Sequence, residues 1–460
     1  MSVDCAAQPP AYKGLTKYPL GSLRELWAIA WPLMLSSFSG NAMVFADRLI
    51  VTSYSSDAFN AVSAAQPVYW TIQAVLMTLV SSSNVIMGRL NGAGQHNAIG
   101  ALVLQMLGVS LACFSITVPI MGIGHSLLAD NIAELGLPYF RILLLEIPFE
   151  VAAYGAFGSF FISQGKTYII TLVALTANFL NCCLDYWFIF GGFGLPAMGI
   201  RGAATATALA NVIAFFAFCF FFTRSSYNVD SFQWSKNLLL QCLKIGLPNA
   251  VTAFIISSGI SASYQFFASW LSPEIYKAFC VCFTVFNLSV FVMGGLSGGV
   301  GTLCSNFWGA KKNDQFPHVL KNALCITGLL GVAFLIFILK SDPFVRYFAT
   351  DAYASNDVFR NQMSLYLKWT WPMFLFQTTT YCINSFLFAL LKIKEILSVQ
   401  IVSYVCCIFV PSWVLVRFFN QNSVIFIQLT VLKDVLVLIG FCLWFRRGTW
   451  REMQAPIEDG

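Results

Sequence analysis

Val75-Leu76-Met77-Thr78-Leu79, closed further on by Gly92-Ala93, returns as Val292-Met293-Gly294-Gly295-Leu296 closed by Gly309-Ala310. The shift in numbering is 309 − 92 = 217. A second pair agrees: Trp31-Pro32-Leu33 and Leu247-Pro248-Asn249 each open a hydrophobic run, with 248 − 32 = 216. A chain that is apolar almost throughout and built as two copies of one unit points to a membrane transporter, because two halves rocking about a central site give alternating access.

Composition supports the membrane setting. Hydrophobic residues make up 58% of the 460 residues and charged ones 10%, against roughly 25% charged in soluble domains. Mean hydropathy is +0.73. A water-soluble chain of this length could not hide that much apolar side chain. The run Leu102–Ile123 carries no charge and, at about 20 residues, is long enough to cross a bilayer. The runs are solidly apolar rather than alternating, so helices are expected and not a barrel.

The breaks between runs predict about twelve crossings, at 25–50, 59–86, 98–123, 138–163, 167–190, 202–223, 245–270, 278–303, 322–340, 364–391, 396–418 and 424–445. The expected fold class is an all-α polytopic membrane protein with two six-helix lobes related by a pseudo-twofold axis. Its parts are an N-terminal segment 1–24, a first lobe 25–223, an inter-lobe linker 224–244, a second lobe 245–445 and a tail 446–460. Six is an even number, so both copies enter the membrane the same way round and the axis runs along the membrane normal. With both termini cytoplasmic, sixteen of the 26 Lys and Arg fall on the inner side, among them Arg89, Lys166, Lys311, Lys312, Lys392 and Arg446. That bias fits the positive-inside rule, so the net charge of +6 reads as topology and not as a nucleic-acid patch. A multi-pass protein of the plasma (inner) membrane is expected, acting as a monomer.

Fourteen cysteines occur, most inside apolar runs and without a CxxC or Cys/His metal spacing; they read as small core residues. No cleavable signal peptide is evident, and the polar end Glu452–Gly460 is expected to be disordered. Gly294-Gly295, Gly298-Gly299 and Gly301 crowd one helix, while Pro32, Pro119, Pro148, Pro248, Pro372 and Pro411 interrupt others. Such residues serve either as hinges or as close-packing positions.

Ionisable residues inside the runs need a reason, since a carboxylate at the bilayer centre costs on the order of 2.5–3.5 kcal/mol by insertion scales. Asp47 lies deep in the first run. Asn178, Asn181 and Asp185 fall on one stripe of the fifth helix, and Thr205, Thr207 and Asn211 lie on the sixth. Two helices that each present a carboxylate beside amide and hydroxyl oxygens suit a proton or sodium site. Loss of water favours a carboxyl group's protonated form, and Asp, Asn and Thr oxygens suit a hard cation. The competing reading ties Asp47 to Arg48, although adjacent helical residues diverge by about 100°. Glu146 and Glu150 flank Pro148 one turn apart and can face the same cavity. Lys433-Asp434 and Lys368 read as paired or snorkelling groups. In the second half Gln377, Thr380, Tyr381 and Asn384 form an uncharged polar stripe. Together with aromatic faces these can line a pocket for an amphipathic organic cation.

Taken in order, these segments resemble the multidrug and toxic compound extrusion (MATE) transporters over essentially the whole length. The resemblance rests on Trp31-Pro32, Phe45-Ala46-Asp47, Arg89-Leu90-Asn91-Gly92-Ala93-Gly94, Leu180-Asn181-Cys182-Cys183-Leu184-Asp185, Gly202-Ala203-Ala204-Thr205-Ala206-Thr207, Gly246-Leu247-Pro248 and Gly309-Ala310. It implies a two-lobed, V-shaped, twelve-helix exporter driven by an inward proton or sodium gradient. It also implies a cation site in the N-terminal lobe, with matching positions Asp47, Asn181, Asp185 and Thr207. Acidic residues that many members carry in the seventh and tenth helices correspond here to Ile256 and Thr380. A small polar residue commonly follows the first-helix Asp, whereas Arg48 follows it here. These departures favour coupling through the N-terminal lobe alone.

The expected function is antiport: export of amphipathic, cationic organic compounds in exchange for H+ or Na+, with the lipid bilayer and a small-molecule substrate as partners and no cofactor. A lipid-linked sugar flippase of related build would call for a basic cavity, and the charges inside these runs are mainly acidic. A non-transporting receptor or scaffold gives no reason for the doubled architecture. An enzyme is disfavoured because His96, His125 and His318 accompany no nucleophile–base or metal motif.

Overall fold

The computed structural model describes residues 12–128, 130–192, 194–225, 234–270, 272–340, 357–418 and 424–446. The middle of the expected linker (226–233) and the tail 447–460 lie outside the described residues. The chain forms α1 (Leu23–Tyr54), α2 (Ser56–Ser81), α3 (Ser83–Gly92), α4 (His96–Ala112), α5 (Phe114–Leu127), α6 (Asp130–Glu150), α7 (Gly158–Ser163), α8 (Thr167–Phe190) and α9 (Ile200–Thr223). The second half forms α10 (Lys236–Trp270), α11 (Pro273–Gly309), α12 (Phe316–Leu339), α13 (Asp357–Ala389), α14 (Ile393–Tyr404), α15 (Val410–Phe418) and α16 (Val424–Arg446). Widened π turns at Val151–Phe157 and Val405–Phe409 join α6 to α7 and α14 to α15. Among the described residues the one β feature is an isolated bridge between Gly192 and Leu195.

Among the described residues, ten helical runs are long and apolar enough to span a bilayer. The crossings expected at 364–391 and 396–418 are absent from that set, and each has a physical reason. Helix α13 is long, but Gln377, Thr378, Thr379, Thr380 and Asn384 make its middle polar. The other run is cut into α14, a π turn and α15. Two other expected crossings continue through one irregular helical turn, at Ser82 between α2 and α3 and at Cys113 between α4 and α5.

The repeat is visible in the elements. Helix α11 copies α2 and α3 taken together, with 273 − 56 = 217 at their starts and 309 − 92 = 217 at their ends. One core gathers Phe140, Phe157, Phe160, Phe161 and Phe218; the other gathers Phe279, Phe307, Phe316, Tyr366 and Phe374. The opening helix of each copy reaches across to the other copy's core. Leu26, Ile29, Ala30 and Met34 of α1 pack into the second core, and Cys242 and Ile245 of α10 pack into the first. Close approach of backbones makes this possible. A Cβ on Gly295 would lie 2.5 Å from Met34 N, and one on Gly246 would lie 2.4 Å from Leu79 O. Gly294, Gly295, Gly298 and Gly299 of α11 are therefore occupied in packing against α1.

The two copies meet at one end of the bundle in a symmetric knuckle. A Cβ on Gly92 would sit 2.0 Å from Asn306 O, and one on Gly309 would sit 2.0 Å from Arg89 O. The two contacts are images of each other under the same shift. Around them, Asn91 Nδ2 donates to Asn306 Oδ1 at 2.7 Å, and Asn306 Nδ2 donates to Ser163 O at 2.9 Å. Arg89 donates through Nε and Nη2 to Ala389 O, with its guanidinium 4.9 Å from the Trp308 ring centroid. The segment 12–22 crosses the same end: Tyr12 rests edge-on against Phe307, and Asn322 Nδ2 donates to Gly21 O at 2.7 Å. Ser22 then caps α1 by accepting from Glu25 N, while Glu25 Oε2 accepts from Gly21 N at 2.7 Å. This closed end is the one whose loops carry Lys166, Lys311, Lys312 and Lys392.

A polar cluster inside the N-terminal helices

Asp47 lies in the last third of α1, roughly 36 Å along the axis from the knuckle end at the usual helical rise. Helix α8 packs between α1 and α9, so the stripe Asn178, Asn181, Asp185 looks at both. Small residues set the α8–α9 distance: a Cβ on Gly202 would lie 2.6 Å from the Phe188 carbonyl, and Ala203 and Ala206 are buried beside it. That spacing brings Thr207 to Asn181.

The four residues singled out as a set meet in one place. With the Asn181 amide nitrogen facing the carboxyl groups, it donates to Asp47 Oδ1 and to Asp185 Oδ2, each at 3.1 Å. The amide oxygen then accepts from Thr207 N at 3.2 Å and from Thr207 Oγ1 at 3.3 Å. The carboxyl groups of Asp47 and Asp185 are also hydrogen-bond neighbours of each other. Asn181 and Asp185 are fully buried, and Asp185 Oδ1 has no hydrogen-bond partner among the described residues. Higher on the same seam Asn178 Nδ2 donates to Ser39 Oγ at 2.9 Å, and Thr171 Oγ1 donates to Pro32 O at 2.6 Å.

Arg48 does not neutralise the pair by contact. Its Nη2 donates to Gln66 Oε1 at 3.2 Å and its guanidinium lies 5.8 Å from the Trp70 ring centroid. Among the described residues the ion pairs are Arg360–Asp357, Lys392–Glu395 and Lys433–Asp434. Two adjoining carboxyl groups without a paired cationic side chain must share a proton or hold a cation. The Asn181 amide fits one orientation. With nitrogen toward the carboxyls the cluster is a closed hydrogen-bond network. The opposite orientation would set the amide oxygen against the carboxyl oxygens and Nδ2 against the Thr207 N–H, so the first orientation is the one that satisfies both sides.

A second cluster adjoins the first. Tyr69 Oη donates to Glu146 Oε1 at 2.6 Å and stands 3.3 Å from Glu150 Oε2. Gln73 Nε2 donates to Glu150 Oε1 at 2.8 Å, and Asn211 Nδ2 donates to Glu146 Oε2 at 2.9 Å. Buried Tyr139 lies within electrostatic reach of Asp47, Asp185 and Glu146 and so stands between the two clusters. The structure ties Glu146 and Glu150 to α2 through Tyr69 and Gln73, and Asn211 joins the network through Glu146. Composition and charge do not single out Tyr69, Gln73 or Tyr139 in the sequence. Gln66, Tyr69 and Gln73 do repeat at i, i+3 and i+7, a stripe that would have found two of them.

The C-terminal polar stripe is elsewhere. Thr380, Tyr381 and Asn384 line a cavity of about 260 Å³ among α10, α13, α14 and α16, together with Ile256, Tyr404, Lys433 and Asp434. Gln377 does not line this cavity; its Oε1 is buried without a partner among the described residues.

Comparison with known proteins gives a consistent result. The sequence profile of the family described as MatE matches residues 32–187 and again 249–414, and the starts of the two matches keep the shift of the helices, 249 − 32 = 217. Among curated proteins, the chain is 26% identical over 346 residues to "Probable multidrug resistance protein NorM" of Thermotoga maritima, covering 71% of this chain and 72% of that one. It is 23% identical over 402 residues to the protein of that name from Listeria monocytogenes, covering 83% and 84%. Among solved structures, a MOP superfamily transporter from Pyrococcus furiosus, described as having a binding pocket of reverse polarity, superposes with a TM-score of 0.84 at 18% identity, over 95% of this chain and 98% of that one. The outward-facing conformation of a multidrug resistance MATE family transporter gives 0.84 at 17% identity, over 96% and 100%.

Proposed function

The chain belongs to the MatE family of membrane transporters, and from that premise we propose that it is a secondary-active antiporter exporting amphipathic, cationic organic compounds in exchange for H+ or Na+. The observation that carries this reading is the contact of Asp47, Asn181 and Asp185, two carboxyl groups bridged by one amide with no cationic side chain paired to them among the described residues. Relatives named as multidrug resistance proteins support the choice of cargo class.

In this account, H+ or Na+ entering beside Asp185 neutralises the pair. That changes how α1, α8 and α9 pack, and the rearrangement expels cargo from between the halves. Ion and cargo thus exclude each other. Alternating access runs between the knuckle-closed state and one in which Gly92 and Gly309 separate. The lobes divide as 25–223 and 245–445 about the 224–244 linker. Both termini face the cytoplasm of a plasma (inner) membrane, and the monomer is the working unit.

Efflux from vesicles holding the purified chain, with a proton or a sodium gradient imposed separately, tests the proposal across a panel of organic cations. Export that follows one gradient and ignores the other is expected. Equal cargo release with neither gradient present would end the antiport reading.

A further inference from the structure

Lys433 and Asp434 are neighbours on α16, and both are almost wholly buried. Adjacent helical residues point about 100° apart, so the lysine stem must curl to bring Nζ within 2.9 Å of Asp434 Oδ1. The ammonium also lies 4.3 Å from the Tyr404 ring centroid, over its face. Thr380 adjoins the carboxylate from α13, and Asn384 Oδ1 lines the cavity buried without a hydrogen-bond partner among the described residues. A carboxylate, an aromatic face, a hydroxyl and a free amide oxygen around a cavity of about 260 Å³ are what a small organic ammonium requires. Here one of the chain's own side chains supplies that ammonium.

We propose that the polar wall of the cavity among α10, α13, α14 and α16 carries a binding site for a primary ammonium group, and that the tethered ammonium of Lys433 occupies it. The inference concerns the C-terminal half alone and does not rest on the antiport reading. It gives the second half a fixed internal cation where the first half has two carboxyl groups with none paired to them among the described residues. A purely structural ion pair makes a different prediction. Removing one partner of a buried pair destabilises the protein, but free ammonium in solution would not restore what was lost unless the site binds it.

The test is thermal unfolding of the detergent-solubilised full chain, titrated with ethylammonium, with choline and sodium as controls. Lys433→Ala is expected to unfold at lower temperature than the unsubstituted protein. It should then recover about 3 °C or more, saturably, with ethylammonium. The unsubstituted protein and the K433A/D434N double variant should show no such gain, and choline, whose quaternary nitrogen has no N–H to donate to Asp434, should not substitute. If Lys433→Ala yields no monodisperse protein, Lys433→Met keeps the stem and is read the same way with ammonium ion. Folded variants indifferent to the small ammonium would overturn the proposal. So would an equal gain in the unsubstituted protein, because the ligand would then be binding elsewhere.

Discussion

Asp185→Asn and Asp47→Asn are expected to reduce gradient-driven export to the passive leak of the vesicles while leaving the protein folded. The second half of that expectation follows from the same geometry as the first. Both carboxyl groups sit in hydrogen-bond contact, without a paired cation among the described residues, on helices inside an apolar bundle. Replacing one with a neutral amide of the same shape removes repulsion and desolvation cost, so the unfolding midpoint should hold or rise. Loss of transport with retained or increased stability separates a coupling role from a structural one. Asn181→Leu should act differently. It keeps both acids but removes the bridge, and its cost is expected in ion affinity, about 10–100-fold by analogy with other ligand-orienting groups. Export that is undiminished in both Asp variants would take these residues out of the mechanism.

The second large effect is expected at the knuckle. Gly92→Ala and Gly309→Ala each place a methyl group 2.0 Å from a carbonyl oxygen of the other copy. Neither contact can be relieved by a side-chain rotation, because the obstructing atom is backbone. Overpacking of this kind costs about 1–3 kcal/mol, which shifts the population of the closed state by about 5–150-fold. The two substitutions should act alike, because the contacts are related by the repeat. Gly108→Ala, with nothing within 4 Å of the added methyl group, is the matched control and should be neutral or mildly stabilising. Pulsed electron-spin distances between labels at Gln95 and Lys392, in a background lacking Cys5, Cys280 and the cysteines exposed among the described residues, Cys183, Cys325, Cys406 and Cys442, report the closure. A longer distance is expected in both glycine variants and an unchanged one in the control. Glycine variants with the original short distance would show that this contact does not hold the end shut.

Much of this arrangement is legible in the residues before any coordinates, and the pattern of what is not has physical causes. The internal repeat predicts that α11 copies α2 and α3, because an apolar run and its glycine stop recur together. Asp47, Asn181 and Asp185 stand out because a polar group in an apolar run is costly and therefore conspicuous, whereas Thr207 stands with Thr205 and Asn211 on its helix and is picked out only by the family resemblance. Tyr69 and Tyr139 are hidden by the same logic: each is one aromatic among many, and a phenol hydroxyl leaves no mark in hydropathy. The direction of Arg48 is also not readable, since helical phase places it away from Asp47 but does not say that Gln66 and Trp70 receive it. The crossings at 364–391 and 396–418 fall short because polar residues lining a cavity and a π turn dilute the signal on which recognition of a span depends. Lys433-Asp434 was readable as a pair but not as part of a cavity, because α10, α13 and α14 supply the rest of it.

The most direct measurement runs the cycle backwards. Vesicles containing the purified chain are loaded with a transported organic cation and diluted into medium without it, with no ion gradient imposed, while internal pH and radioactive sodium entry are followed. The account predicts that cargo leaving drives one of the two ions inward, in proportion to the cargo lost, and that Asp185→Asn abolishes this ion movement. Cargo that leaves through the protein while neither ion moves would contradict it.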